Sequence, residues 1–153
     1  MMSCYILSIV TFVLLLLAFF QNLFHFPILK ASEVTFMILT SIVYLFTETL
    51  VIFFFVGTGV SVKEYTHEHH LKGDYHHKSI DIKRTVYPPL LLNMLFMIIL
   101  FILIGAVDTG KISSVIYLLY FLFCIGNFLW AKKIQHEAFR ENTFNILAMV
   151  EKA

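Results

Sequence analysis

The sequence predicts an all-α fold: an integral membrane antiparallel four-helix bundle with a cytoplasmic helical extension at its C-terminal end. Three observations carry that expectation. Of 153 residues, 59% are hydrophobic and only 14% are charged, outside the balance of a soluble domain. Four apolar stretches, at about 5–24, 34–60, 88–107 and 112–131, are each long enough to cross a hydrocarbon layer as helix. Nine of the eleven Lys and Arg residues fall in the two segments 61–87 and 132–153, leaving only Lys30 and Lys111 elsewhere. Under the positive-inside rule, both termini and the polar loop 61–87 are cytoplasmic.

The first span is expected to be retained, because it lacks a basic n-region and no small-x-small cleavage site follows it. Its small and polar residues Cys4, Ser8, Thr11, Ala18, Asn22 and His25 keep to one face, the face suited to packing on neighbouring helices. His25 stands at the outer end, before Phe26 and Pro27 stop the helix; it reads as an interfacial histidine, with haem or metal ligation as the alternative. Ser32 followed by Glu33 marks the next helix start, a hydroxyl to cap free amides and an acid in the first turn.

The second span carries an acid, Glu48, near its middle. Ser41, Tyr44 and Glu48 share one helical face, which must point into protein because a charge at the centre of a span costs about 2.5–3.5 kcal/mol on insertion scales. With no Lys or Arg inside a span, Glu48 is expected to be neutral and hydrogen-bonded to Tyr120 or Thr11. Glu48, Tyr44 and Tyr120 are thus the candidates for proton or ion handling. Gly57, Thr58 and Gly59 read as a close helix approach.

The loop 61–87 holds five of the seven histidines. Glu64, His67, His69, His70, His76 and His77, with the distant His136, are the candidate metal ligands, since Glu64-x-x-His67 on a helix resembles the local grouping of carboxylate-bridged sites. A pH-responsive patch of histidines is the other reading. Pro88-Pro89 is expected to open the third span, whose Asn93, Met97, Leu100, Ile104 and Asp108 share a face. Asp108-Thr109-Gly110 reads as an outer turn and not as a protease triplet. In the fourth span Tyr117, Tyr120, Cys124 and Asn127 line up, Trp130, Lys132 and Lys133 mark the inner interface, and the tail 132–153 reads as an amphipathic helix with Phe139, Ile146 and Val150 on its apolar side.

The series Phe55-Val56-Gly57-Thr58-Gly59, Lys83-Arg84 with Tyr87-Pro88-Pro89, Gly105 to Gly110 and Glu137 to Asn142 resembles short bacterial four-span inner-membrane proteins of unassigned function. The resemblance implies a bacterial inner-membrane location and supplies no catalytic residue; the histidine-rich insertion is not part of that pattern.

A net charge of +1 without a basic stripe argues against nucleic acid as a partner. Two isolated cysteines, Cys4 and Cys124, form neither a disulfide framework nor a CxxC centre. The leading expectation is a small non-catalytic accessory or structural subunit of a larger membrane complex, with the lipid bilayer and other membrane subunits as its partners. The alternatives are proton or ion handling at Glu48 and a metal- or haem-binding redox subunit.

Overall fold

The computed structural model describes residues 2–28, 30–70 and 74–152. Four helices account for most of them: α1 (Met2–Phe24), α2 (Glu33–Glu68), α3 (Tyr75–Asp108) and α4 (Ser114–Val150). Each is long and apolar enough to cross a membrane. Among the described residues there is no strand, only an isolated bridge between Ile28 and Ala31. At 1.5 Å per residue α1 is roughly 35 Å long and the other three just over 50 Å, so three helices outrun the first.

The burial pattern explains how these helices pack. Along α4 the buried residues Tyr117, Phe121, Cys124, Phe128, Ala131, Gln135, Ala138, Asn142, Asn145 and Met149 recur at alternating steps of four and three. That spacing is a heptad seam, which keeps one stripe facing its neighbours over the whole helix. Thr11, Leu15, Ala18 and Asn22 follow the same rule in α1. In α2 the seam runs through Met37, Ser41, Tyr44, Glu48, Val51 and Phe55, then takes an extra step of four to Gly59. The seam of α3 takes such a step between Val86 and Leu90, across Pro88 and Pro89. An inserted step of four locally unwinds a heptad pattern, and here it falls where two prolines leave the Arg84 and Thr85 carbonyls without their usual partners. α3 packs on α2 and α4, and α1 on α2 and more lightly on α4.

One expectation about the elements is corrected. The segment 61–87 is mostly helix, because α2 continues to Glu68 and α3 begins at Tyr75 and passes through both prolines. Val62, Ser79, Ile82 and Val86 continue the buried seams while the polar residues occupy the outer faces, so the helices do not stop where the apolar composition stops. The corner itself, with Lys72, lies outside the described residues, as does Ala153 at the end of the tail. As expected, the tail continues the fourth helix: residues 132–150 form the second half of α4 and pack on the other helices. Asn145 Nδ2 donates to the Tyr75 carbonyl at 3.0 Å, the Tyr75 hydroxyl donates to the Ala148 carbonyl at 3.2 Å, and the Phe139 ring stacks on Phe55 at 5.1 Å. Of its expected apolar side, Phe139 is buried and Val150 is exposed.

The expected start and turn signals do appear. The Ser32 hydroxyl accepts from the Thr35 amide at 3.2 Å, and Gly110 closes the turn after α3 with φ of 70°, a conformation that favours glycine. Gly59 is covered by Lys83 and Ser79 of α3, whereas Gly57 faces open space, so only one of the pair makes the close approach.

Two larger apolar cores follow one another along the four helices, with a smaller one of Val62, Tyr75 and Met149 toward the α2–α3 corner. One includes Leu15, Met37, Tyr44, Met97, Phe121 and Phe128; the next includes Cys4, Val51, Phe55, Leu90 and Phe139. Between them lies a polar layer.

Candidate functional site

The polar layer is centred on Glu48, whose side chain is fully removed from the surface. Its position on the α2 seam, one turn beyond Tyr44 and one before Val51, aims the carboxylate inward between the two cores. There the seams of α3 and α4 supply amides in place of hydrocarbon. Asn93 Nδ2 of α3 donates to Oε1 at 3.2 Å and Gln135 Nε2 of α4 donates to Oε2 at 2.7 Å. The Lys132 ammonium stands 3.0 Å from Oε1, so Glu48 is held in an ion pair within the chain.

Further polar atoms of the layer are used as well. Lys132 Nζ donates to Gln135 Oε1 at 2.9 Å and sits 4.9 Å from the centre of the Phe128 ring. Asn127 Nδ2 donates to Asn93 Oδ1 at 2.9 Å, and the Tyr44 hydroxyl reaches the Asn93 carbonyl at 3.5 Å. Because Asn93 and Gln135 each have oxygen and nitrogen engaged at once, the network fixes both amide orientations. α1 joins at the same level, where the Thr11 and Thr47 hydroxyls meet at 2.8 Å. Burying a charge is tolerable only when it is paired and its other lone pairs are satisfied, and this layer meets both conditions.

The partner expected for Glu48 is therefore corrected. Thr11 bonds to Thr47, and the Tyr120 hydroxyl donates to the Phe96 carbonyl at 3.3 Å, among the apolar residues on the other side of Asn93. Lys132, expected to mark the inner interface, has a side chain only 16% exposed. It follows Ala131, a small residue on the seam, and lies four residues after Phe128, so the continuing helix carries its stem inward over the ring. Of the three proton or ion candidates, Glu48 and Tyr44 meet through Asn93 and Tyr120 does not join them. Lys132 and Gln135 were missed. Their signal was the unbroken four-three spacing through residue 149, which shows that α4 keeps an inward face beyond Trp130.

One opening leads to this layer from the side. A cleft of about 230 Å³ between α1 and α4 is walled by Ser8, Ile9, Phe12, Leu129 and Phe139 and reaches Lys132 and Gln135. At its rim the Tyr5 hydroxyl pairs with His136 Nδ1 at 2.8 Å.

The candidate metal ligands do not converge. His136 is engaged with Tyr5, far from the histidines at the α2–α3 corner. Glu64, His67 and His76 border a shared open groove, but the His69 ring packs on Tyr65, His70 lies 6.4 Å from His67 ring to ring, and His77 stands 4.0 Å from Asp74. Among the described residues no three His, Cys, Asp or Glu side chains are grouped to hold a metal ion. His25, the alternative haem or metal ligand, instead pairs its Nδ1 with Glu33 Oε1 at 2.7 Å. Comparison of the chain with protein-family models, with curated proteins and with solved structures finds no match to any of them.

Proposed function

We propose that this chain is a small non-catalytic subunit of a larger inner-membrane complex, embedded as an antiparallel four-helix bundle with both termini and the α2–α3 corner on the cytoplasmic side. In this reading the Glu48 layer is the clasp that fixes how α2, α3 and α4 meet. The observation that carries the subunit role is a set of apolar side chains beyond the apolar span of α4. Phe144, Leu147 and Val150 are each more than half exposed, although Asn142, Asn145 and Met149 of the same turns are buried against α2 and α3. These residues lie about four to five and a half turns past Trp130, where lipid would not cover them, and an exposed apolar patch outside a membrane marks a contact surface. The matching distribution of Lys and Arg supports the orientation.

The test is purification from native membranes in a mild detergent. The wild-type chain is expected to emerge with larger membrane partners, and the double variant Phe144→Ser, Leu147→Ser to emerge without them while keeping its helicity. A wild-type chain that is monodisperse and alone sinks the subunit reading.

A second reading, proton handling at the Glu48–Lys132 pair, is favoured by the lateral cleft that reaches Lys132. An intramembrane acid paired with a base is a recurring form of proton relay. Glu48→Gln keeps most of the hydrogen bonding and cannot exchange a proton; intact assembly with unchanged proton-coupled activity of the host complex leaves only the clasp.

A further inference from the structure

The surface on which α1 packs runs on past α1. On α2, Thr47 meets Thr11 of α1, and Val51 and Phe54 follow at steps of four and three in one cluster with Cys4 and Tyr5. The same heptad steps continue to Thr58, Ser61 and Tyr65. On α4, Phe128 stacks on Phe12 and Phe139 tilts against Tyr5, and Ile146 comes one heptad later, followed by Met149. From the level of Tyr5 onward these two continued seams wall a groove of about 500 Å³ between α2 and α4, with the buried Val62 and Met149 at its floor.

The wall selects the occupant. No residue lining the groove is charged, so a headgroup or a nucleotide has nothing to pair with there. In the proposed orientation Ile146 and Val150 lie roughly 24 and 30 Å past Trp130 along α4, beyond the reach of acyl chains. Two heptad seams side by side present the holes into which a third helix sets its knobs, as α1 does on the same seams. Gly57 and Ser61, one turn apart on the α2 wall, are small and exposed, and open space over Gly57 lets another backbone come close. Val150 belongs both to this groove and to the exposed apolar stripe it forms with Phe144 and Leu147, so the groove is continuous with the contact surface of the subunit reading, on which the present inference rests. We infer that the groove seats an amphipathic helix of a partner subunit, about three turns long and in line with α1, its apolar stripe set between Thr58 and Ser61 on one side and Ile146 and Val150 on the other. That helix extends the four-helix packing into the part of the molecule where α2, α3 and α4 stand without α1.

The experiment places a small diazirine amino acid at position 61 of the full chain and irradiates native membranes. The expected adduct is a peptide of another protein with apolar residues at helical spacing; an adduct to lipid or to this same chain overturns the inference. Ser61→Cys gives a second readout, since Cys4 and Cys124 are buried. In the complex purified in mild detergent its new thiol should react slowly with a water-soluble maleimide, and quickly once a harsher detergent strips the partners, whereas His77→Cys, at a side chain 74% exposed, should react alike in both. Ser61 is exposed, so Ser61→Trp should keep the thermal midpoint of the stripped chain while the filled groove lowers the co-purified partner about tenfold. Partners retained by Ser61→Trp, with the thiol of Ser61→Cys equally reactive before and after stripping, overturn the groove and leave the subunit reading standing. A wild-type chain that emerges without partners overturns both.

Discussion

Removing one member of the Glu48 layer should cost far more than removing both charges together. In Lys132→Met the aliphatic stem is kept and the ammonium lost, leaving a fully buried carboxylate with Asn93 and Gln135 but no counter-charge. Breaking a buried pair in this way costs about 3–5 kcal/mol, because the uncompensated charge stays inside. Glu48→Gln leaves Lys132, whose side chain is 16% exposed through the lateral cleft and can turn outward, so about 1–3 kcal/mol is expected. The double variant Glu48→Gln, Lys132→Met holds a neutral amide among amides and should be less destabilised than Lys132→Met alone. The two residues should therefore couple by about 2 kcal/mol or more, above the average of roughly 0.6 kcal/mol for hydrogen bonds between membrane helices. Unfolding of the protein from lipid bicelles by a denaturing detergent measures each free energy. Single-variant losses that simply add, or a Lys132→Met loss below about 1 kcal/mol, would refute the ion-pair argument.

Further outcomes follow from other parts of the chain. Gly57→Ala, on an open helix surface, should stabilise α2 by up to about 1 kcal/mol, while Gly59→Ala should forfeit that gain because its methyl displaces the Lys83 ammonium; thermal midpoints of the two variants decide this. Cysteines placed at Asp81 and Ser113, both exposed, should be labelled from opposite sides of the membrane, and labelling from the same side would end the proposed topology. Elemental analysis of untagged protein should find no stoichiometric metal, and Glu64→Ala with His67→Ala should leave the melting temperature unchanged; one bound equivalent lost in that variant would restore the histidine site.

The number of helices and their inward faces were legible because spacing alone encodes them: Ser41, Tyr44 and Glu48 on α2, and Asn93, Met97, Leu100 and Ile104 on α3, are all buried. What hydropathy hid was the far end. Composition turns polar after residues 60 and 131, but Asn142, Asn145 and Ser79 are seam residues despite being polar, so a scale that scores them as surface ends the helices too early. The same bias placed Lys132 at the inner interface and not in the layer. Glu48 stood out by itself in the sequence, yet its partners lie 45 and 87 residues away on other helices, a pairing that no local pattern announces. The histidines show the converse, a dense local cluster that the fold spreads over two helices and a corner.

The long separation within the polar layer bears on biogenesis. Gln135 lies 87 residues downstream of Glu48, and at about 5–20 residues per second a ribosome needs roughly 4–17 s to make the intervening chain. In the proposed membrane topology α2 would carry its acid without Lys132 for that interval, a state that favours residence beside the translocation machinery. In that topology the arrival of α4 would end it, so completion of the last helix would be the event that commits the second to the bilayer. Truncations stopping before Lys132 should remain extractable or be degraded, and those extending past Gln135 should become stably integrated.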